Sequence, residues 1–532
     1  MTEAKDTSTS GPPPCDTSGY QPVTLDGARA GVIRSDGRVI QIGWPELGGP
    51  MFHPTAAVQI RDNRLEVSHD MGAAGIALEH VDLCFNWTLA DTCTAVQPYI
   101  MYGQSLALNL GHDQPLTKDP VAPGRAMMYA NPGAGAQMSV SERPGWDTAD
   151  FGPCHFPATD LDRLEDLKED RGESPVSTAV CAFLPALPAT TAVVATNHAR
   201  GGMHILKLLP KHLAEGRGHG IQYAGLLRAA VRTRQFCAAH DRRMLQPIVS
   251  FIQGEAAPPR DADGYHDRLL ALQAALTSDL GKVTGLGDQV PVFTDQTRVM
   301  WPPTQTLDNV EQPLAMAQLA AALRHPGRLY CVGPKYFLPR RSTRKGRGDA
   351  VHLLPEASAL LGDYHGRAIW QTLQGRPWLP LHVATYARTG AVIRLGVQGG
   401  DGSPLLIDTD MVRQTEASLL GFRWLQLGGT APTVADLRVN GREITLTLDH
   451  DPGQRGQDFT TAALTIGLFA EAKIIDEGPL TGGRTNIRDS CPDVGRYGLP
   501  MQNWLCHDCF WDTETGGTRL AGTAWAQKQS LA

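Results

Sequence analysis

Four short polar segments of this sequence contain the residue types that nucleophilic acyl transfer requires. They are Gly103-Gln104-Ser105, Gly201-Gly202, Gln253-Gly254-Glu255, and the pair Asp349 and His352. A serine attacks a carbonyl carbon when a histidine accepts its proton, a carboxylate orients that histidine, and N–H groups bind the developing oxyanion. Together the four segments supply each of these groups, so serine-dependent acyl transfer is the chemistry they indicate.

Ser105 is the candidate nucleophile. The apolar segment 95–101 before it predicts a strand, and Gly103 permits a sharp turn that would present the hydroxyl at the edge of a sheet. Ala107 stands where the hydrolase motif Gly-x-Ser-x-Gly has its second glycine. From its neighbours alone, Ser105 is more typical of a serine that caps a helix after a strand. The downstream segments favour the nucleophile.

Asp349 and His352 are the candidate orienting residue and general base. A carboxylate and an imidazole three residues apart on a tight turn can reach each other, so Asp349 would bind one ring nitrogen while the other accepts the Ser105 proton. Pro355 marks the start of a helix predicted to run to about Leu373. The alternative for the pair is a helix cap beside a surface histidine.

The order of these segments resembles the SGNH hydrolase superfamily, and it is most similar to the sialate O-acetylesterases and acetylxylan-esterase-like carbohydrate esterases. The resemblance extends over about residues 97–378. It implies Ser105 as the nucleophile, His352 as the general base and Asp349 as the carboxylate that orients the histidine.

The resemblance also implies oxyanion donors and supporting residues. The donors would be two backbone N–H groups and one side-chain amide, from Ser105, from Gly201 or Gly202, and from Gln253. Many superfamily members have asparagine in place of this glutamine, which the carbohydrate-esterase branch often carries. Gln104 and Glu255 would support the site, Glu255 by hydrogen-bonding the loop that holds Gln253. No metal and no cofactor is implied.

An esterase of this type would remove O-acetyl groups from a carbohydrate or polysaccharide through an acyl-enzyme on Ser105, so an O-acetylated carbohydrate is the expected partner. A second class of function stays open. A glycan-binding or structural protein, for example a bacteriophage tail receptor-binding protein, could use an esterase fold to recognise a polysaccharide. Turnover of small acetyl esters would favour the enzyme, whereas trimeric assembly with dispensable activity would favour the structural role.

Composition excludes other partners. The formal charge of −7 argues against general nucleic-acid binding. The N-terminal segment lacks the apolar core of a signal peptide, and no window approaches about 18 uninterrupted apolar residues. We therefore expect no membrane partner, and a cytoplasmic protein or, for a phage product, a virion-associated one. A homo-oligomer is compatible with the sequence.

Cysteine usage indicates buried thiols, because ten cysteines in 532 residues are too few for a disulfide scaffold. Cys506 and Cys509 form a lone Cys-x-x-Cys pair. Structural thiols or a local disulfide are the favoured interpretation of this pair. A metal site and redox chemistry remain as alternatives, although a zinc site would need a second pair of ligands.

Composition and periodicity divide the chain into four parts. Residues 1–22 are rich in Ser, Thr, Gly and Pro and predict a flexible lead-in. Short alternating runs predict a small β-rich region over 23–94 and an antiparallel, β-sandwich-like domain over 379–532. Residues 95–378 alternate between strand and helix patterns, which predicts an α/β domain with a mainly parallel sheet. The resemblance makes this domain a three-layer α/β/α, flavodoxin-like SGNH fold with the site at the carboxyl ends of its strands.

Several further features carry weaker expectations. Residues 114–180 lack strong periodicity and predict either a substrate-shaping insertion or a solvated surface excursion. Five cationic residues within 340–348 could form a rim for an anionic polysaccharide or a plain solvated loop. A few lone residues could contact sugar but are more often structural: Asn197, His198, His204, Trp504 and Trp511.

Overall fold

The architecture is that of a computed structural model. It describes residues 20–25, 29–34, 39–41, 57–61, 64–70, 76–82, 89, 92–109, 114–130, 136, 160–214, 220–256, 262–299, 304–307, 313–341, 349–471, 478–513 and 516–519. Nearly all of the predicted lead-in, and most of the cationic stretch 340–348, lie outside these ranges. None of the helices in the described ranges has the length and apolar character needed to cross a membrane.

Two small antiparallel sheets precede the main body of the chain. Each contains three strands: β1 (Tyr20–Leu25), β2 (Arg29–Arg34) and β3 (Val39–Gln41) in one, and β4 (Ala57–Arg61), β5 (Arg64–Asp70) and β6 (Ile76–Asp82) in the other. Adjacent strands pair in chain order. The strand content predicted for this region is confirmed, whereas its domain boundaries stay a prediction.

A large, mainly parallel sheet forms the centre. Its strands are β7 (Ala95–Gly103), β8 (Ala126–Ala130), β9 (Asp160–Asp166), β10 (Thr191–Asn197), β11 (Arg243–Met244), β12 (Ile248–Ile252), β13 (Val292–Gln296) and β14 (Leu329–Pro334). They are ordered β14-β13-β12-β7-β10-β8-β9, and β11 pairs with β7. Every pairing is parallel except that of β8 with β9. The predicted mixture of a mainly parallel sheet with antiparallel sheets is confirmed.

Seven α-helices lie in the described ranges. They are α1 (Ser105–Leu108), α2 (Pro175–Phe183), α3 (Ile205–Leu208), α4 (Ile221–Ala239), α5 (Ala262–Thr284), α6 (Leu314–Arg324) and α7 (Pro355–Leu373). Short 3-10 turns occupy Leu184–Ala186 and Lys211–Leu213. The helix predicted from Pro355 to about Leu373 is confirmed as α7. In α5, helical spacing places four fully buried leucines on one face: Leu269, Leu272, Leu276 and Leu280.

The central strand β7 is buried on both faces. Tyr99 and Met101 join an apolar cluster to which α2 and α7 contribute. The alternate residues Ile100 and Tyr102 join a second cluster with side chains from α4, α5 and α6. A strand buried on both faces reads as a continuous apolar run, which is why segment 95–101 shows no polar alternation.

The interpretation of residues 114–180 as an insertion or a solvated excursion is wrong for much of this stretch. It contains β8, whose five residues are all buried, the antiparallel edge strand β9, and the start of the buried helix α2. The strand was hard to predict because its five-residue apolar run lies between Gly-Pro-rich segments and is too short to show a period.

Three antiparallel sheets make up the C-terminal region. Its strands are β15 (His382–Thr389), β16 (Val392–Gln398), β17 (Leu405–Ile407), β18 (Phe422–Leu427), β19 (Val434–Asn440), β20 (Glu443–Leu448), β21 (Thr461–Ile466), β22 (Ile487–Asp489), β23 (Asp508–Thr513) and β24 (Gly516–Arg519). The sheet orders are β15-β16-β20-β19, β18-β21-β23-β24 and β17-β22. Strands β19 and β20 form a hairpin at Asn440-Gly441, where Asn440 pairs with Glu443 across the turn.

The C-terminal region packs against the central one. Trp504 belongs to the same apolar cluster as β7 and stacks on Phe337 with ring centroids 5.3 Å apart. Tyr336 donates from its hydroxyl to the Leu505 carbonyl at 2.9 Å. Trp504 and Trp511 are 2% and 5% exposed. Both are core residues, so neither offers a surface on which a sugar could stack.

Candidate active site

The first three candidate segments meet at one edge of the sheet. Strand β7 lies between β10 and β12 and runs parallel to both. Ser105 follows β7, Gly201 follows β10, and Gln253 follows β12. Because the carboxyl ends of neighbouring parallel strands lie side by side, the three residues share one edge.

Ser105 is presented by a tight turn between β7 and α1. Gly103 has φ +134°, and a Cβ there would lie 2.7 Å from the carbonyl carbon of Ile252, so only glycine fits. Gln104 donates its N–H to the Ile252 carbonyl at 2.9 Å. Gln104 is also the residue at the N-cap position, and Ser105 is the first residue of α1. The interpretation of Ser105 as the helix cap is therefore wrong.

The Gln104 side chain joins the serine turn to the loop after β12. Its Oε1 accepts from the backbone N–H groups of Ala256 at 3.0 Å and Gly254 at 3.3 Å. Its Nε2 donates to Glu255 Oε2 at 3.1 Å. Gln104 is 1% exposed. These contacts hold the turn and the loop together, and the supporting role of Gln104 and Glu255 stays a prediction.

A buried ion cluster lies behind Glu255. Lys335 Nζ is 2.8 Å from Glu255 Oε1 and 2.7 Å from Asp295 Oδ2, and the three side chains are at most 1% exposed. Burial favours the uncharged lysine, but the two carboxylates outweigh it and raise the Lys335 pKa. Sequence reasoning missed Lys335 and Asp295. The one available signal was their position in or just after predicted strands, at the same edge as the serine.

Asp349 and His352 form the predicted pair. His352 Nδ1 lies 2.9 Å from Asp349 Oδ1 and 3.1 Å from Oδ2, and the His352 N–H donates to Oδ1 at 3.1 Å. Partial burial tends to raise the Asp349 pKa, but these hydrogen bonds, the imidazole and Arg341 lower it overall. The N-cap of α7 is Leu354, so Asp349 does not cap that helix. Contact through Nδ1 leaves Nε2 as the nitrogen for proton transfer.

The segment carrying His352 is held by antiparallel pairing with residues 339–341. Arg341 donates its N–H to the His352 carbonyl at 2.9 Å, and Leu354 donates to the Pro339 carbonyl at 3.1 Å. Arg340 is fully buried and donates from Nη1 to the Val351 carbonyl at 2.6 Å. The Arg340 side chain and the Arg341 backbone therefore hold this loop. The remainder of the predicted basic rim, 342–348, lies outside the described residues.

Two backbone segments offer donors beside the serine. A Cβ on Gly201 would lie 3.9 Å from the Ser105 Cβ, so the two residues are neighbours. Gly201 and Gly202 are exposed and Ser105 is half-buried. Within the described ranges, the N–H groups of Ser105, Gly201 and Gly202 meet no acceptor. They are available to an oxyanion.

Gln253 is placed differently from these donors. It is fully buried, and its Nε2 donates to the Met203 carbonyl at 3.1 Å and to Gln104 Oε1 at 3.4 Å. Its Oε1 accepts from the Tyr265 hydroxyl at 2.7 Å. The amide N–H groups thus already have acceptors inside the protein. Gln253 joins the oxyanion donors only by releasing the Met203 carbonyl or Gln104 Oε1.

The candidate base, His352, and the candidate nucleophile, Ser105, are not hydrogen-bonded to each other in this structure. Among the described residues, the Ser105 hydroxyl makes no hydrogen bond to the His352 ring. Such contacts are often long without substrate and tighten in the reacting complex. A chain of contacts instead connects the two segments, because Arg341 Nη2 donates at 3.1 Å to the carbonyl of Asn109, directly after α1.

Other candidates for substrate contact are structural. The Asn197 amide donates to the Ala107 carbonyl at 2.9 Å, and its Oδ1 accepts from the Ala199 N–H at 3.1 Å. His198 is fully buried, and burial, helped by Arg228, lowers its pKa to about 3. His204 caps α3, because its Nδ1 accepts from the Leu206 N–H. Neither Asn197 nor His198 can reach a substrate in solvent.

The cysteine pair has no chemistry of its own. Cys506 and Cys509 are free, buried thiols, and burial raises both pKa values well above the ordinary range. Structural thiols are thus confirmed over a local disulfide. In the described part of the chain, one group could present three metal ligands: Asp401, Asp489 and Cys491. Asp489 already accepts from Asn503, and Arg367 donates to the Cys491 sulfur at 3.5 Å.

Comparison with known proteins found likeness only among solved structures; no family model and no curated protein matches. A carbohydrate acetylesterase from Xanthomonas citri is 13% identical, with 90% of each chain covered and a TM-score of 0.45. A protein from Arabidopsis thaliana is 17% identical over 52% of this chain and 98% of its own, with a TM-score of 0.31. NanS is 14% identical over 53% of this chain and 99% of its own, with a TM-score of 0.34. Because these scores are low, we infer function from the site itself.

Proposed function

We propose that the chain is a serine esterase that removes O-acetyl groups from a carbohydrate. The observation that carries this proposal is the Asp349 and His352 pair, in which the carboxylate binds Nδ1 at 2.9 Å and leaves Nε2 for proton transfer. The presentation of Ser105 at the carboxyl edge of the sheet, beside N–H groups without acceptors, supports it.

The reaction would proceed in two steps. Ser105 Oγ attacks the ester carbonyl carbon while His352 Nε2 takes the hydroxyl proton, and the Asp349 carboxylate stabilises the imidazolium that forms. The tetrahedral intermediate collapses when the same nitrogen gives its proton to the departing sugar oxygen. Water then attacks the acetyl-serine with His352 again as base, which releases acetate.

The oxyanion would be bound by backbone groups. The donors would be the N–H of Ser105 and that of Gly201 or Gly202, and each such donor would contribute roughly 3 kcal/mol of transition-state stabilisation. Gln253 stays a prediction as the third donor. Its present hydrogen bonds favour the same supporting role that Gln104 and Glu255 have.

We also infer a three-layer SGNH fold of flavodoxin type for this domain. This proposal is supported by two apolar clusters, one on each face of β7, because different helices contribute to each cluster. The carbohydrate and the acetyl group come from the resemblance of the four segments to carbohydrate esterases.

The test is acetate release from p-nitrophenyl acetate and from acetylated polysaccharides, with Ser105→Ala and His352→Ala compared against the parent. Loss of either triad residue should lower kcat by at least about a thousandfold with the fold retained. His450→Ala is the matched control, because His450 forms a similar 2.7 Å pair with Asp449 on the C-terminal sheets. If the parent is inactive but still binds polysaccharide, the glycan-binding function would replace the esterase function.

A further inference from the structure

Arg341 joins the two halves of the candidate site. It stands where residues 339–341 pair with the segment of His352, and its side chain is 14% exposed. The guanidinium contacts both halves of the site. Nη2 donates to the Asn109 carbonyl at 3.1 Å, and Nη1 lies 3.7 Å from Asp349 Oδ2.

Asn109 is tied in turn to the nucleophile. It is the C-cap of α1, and it adopts a left-handed conformation with φ 46°. Its N–H donates to the Ser105 carbonyl at 2.6 Å, and its side-chain amide donates to the Glu173 carbonyl at 3.1 Å. The Asn109 carbonyl is therefore a fixed point on the short helix that starts with the serine.

The contacts form a continuous path from serine to base. It runs from Ser105 through Asn109 to Arg341, and from the guanidinium to Asp349, whose carboxylate binds the His352 ring. The Arg341 backbone closes the path by donating to the His352 carbonyl at 2.9 Å. In the described residues this path joins the histidine segment to α1 by polar contacts, in addition to the apolar cluster that contains Leu106 and Leu353.

We propose that Arg341 is a positioning residue that holds the Asp349 and His352 pair at the distance and angle at which Nε2 can reach the Ser105 hydroxyl. This proposal rests on the esterase function proposed above and assigns a role to a residue outside the four motifs. A planar guanidinium can contact two acceptors in different directions at once, whereas a lysine ammonium on a flexible stem lacks this fixed fork. Misplacement of a catalytic group by about 1 Å can cost a hundredfold in rate.

The test compares Arg341→Met and Arg341→Lys with the parent in steady-state hydrolysis of p-nitrophenyl acetate. Arg341→Met should lower kcat by about 10- to 100-fold and change KM by less than about threefold, because the substrate site is intact and only the alignment of the base is lost. Arg341→Lys should recover part of kcat. Arg438→Met is the control for loss of one positive charge, since the Arg438 side chain is 81% exposed on the C-terminal sheet.

Two results would overturn the proposal. One is an active parent whose kcat is unchanged in Arg341→Met. The other is a loss of activity that matches the loss of folded protein measured by circular dichroism and is equal in the methionine and lysine variants. That result would mean that Arg341 has a purely structural role. An inactive parent is a separate result, because it removes the esterase function itself.

Discussion

Replacement of Lys335 by methionine tests how much the buried ion cluster contributes to the stability of the fold. Lys335 lies 2.8 Å from Glu255 and 2.7 Å from Asp295, and all three side chains are excluded from water. Removal of the cation leaves Asp295 without its counterion in a low-dielectric site, whereas Glu255 still lies near the positive charge of Arg340. Glu255 keeps Gln104 as a donor at 3.1 Å, so Asp295 is the group that should take up a proton.

The loss of stability in Lys335→Met follows from the protonation of Asp295. At Asp295, burial raises the pKa, and the charge of Lys335 offsets this only in part. At Glu255, the positive charges of Lys335 and Arg340 outweigh burial, so the pKa of this carboxyl is lowered. Neutralising an aspartate with an unfolded pKa of about 3.9 costs about 4 kcal/mol at pH 7 and about 1.5 kcal/mol at pH 5. Lys335→Met should therefore lower the free energy of unfolding by about 4 kcal/mol at pH 7, and by clearly less at pH 5.

Urea unfolding followed by circular dichroism at both pH values measures this difference. The double variant Lys335→Met, Asp295→Asn is the control, because it removes the proton-binding carboxylate and should lose most of the pH dependence. A Lys335→Met cost below about 1 kcal/mol, or one of equal size at pH 5 and pH 7, would refute the reasoning.

Three further predictions concern packing, pH and the serine turn. Gly366→Ala on α7 should destabilise the fold by about 1 to 3 kcal/mol, because the new Cβ would lie 2.6 Å from the Ala182 Cβ of α2; Gly287→Ala, with open space around it, should be neutral in thermal unfolding. Burial, then the neighbouring Glu173, raises the pKa of Glu169 to about 8, so the folded state binds an extra proton and stability should fall as pH rises from about 5 to 8. Glu169→Gln should lose only the share of that fall due to Glu169 in urea titrations at several pH values, because burial also raises the pKa values of Glu173 and Asp363 to about 7. Gln104→Leu should lower kcat for p-nitrophenyl acetate at least tenfold, because two N–H groups lose their acceptor and the turn loosens.

The sequence predicted the site best where chemistry and strand ends coincide. Ser105, Gly201 and Gln253 each follow an apolar strand, and parallel pairing brings such ends to one edge. The Asp349 and His352 contact was predictable because three residues separate them on a turn. Helices with a clear apolar face, such as α5, were predictable for the same local reason.

Other parts depend on contacts between distant residues. Lys335 meets Glu255 and Asp295 only through the pairing of β12, β13 and β14, which no local pattern encodes. Arg341 was grouped with its cationic neighbours as a polysaccharide rim, whereas its partner Asn109 lies 232 residues away in the chain. The role of Gln253 depended on Tyr265 and Met203, which fix its amide from two other segments.

The central claim is that Ser105 is the nucleophile, and covalent labelling tests it most directly. The parent would be incubated with a fluorophosphonate, which forms a stable bond to an activated serine, and the adduct would be located by peptide mass spectrometry. The account predicts one adduct on Ser105, formed together with loss of esterase activity and strongly slowed in His352→Ala. Ester turnover by a parent that is labelled at another residue, or not labelled at all, would contradict it.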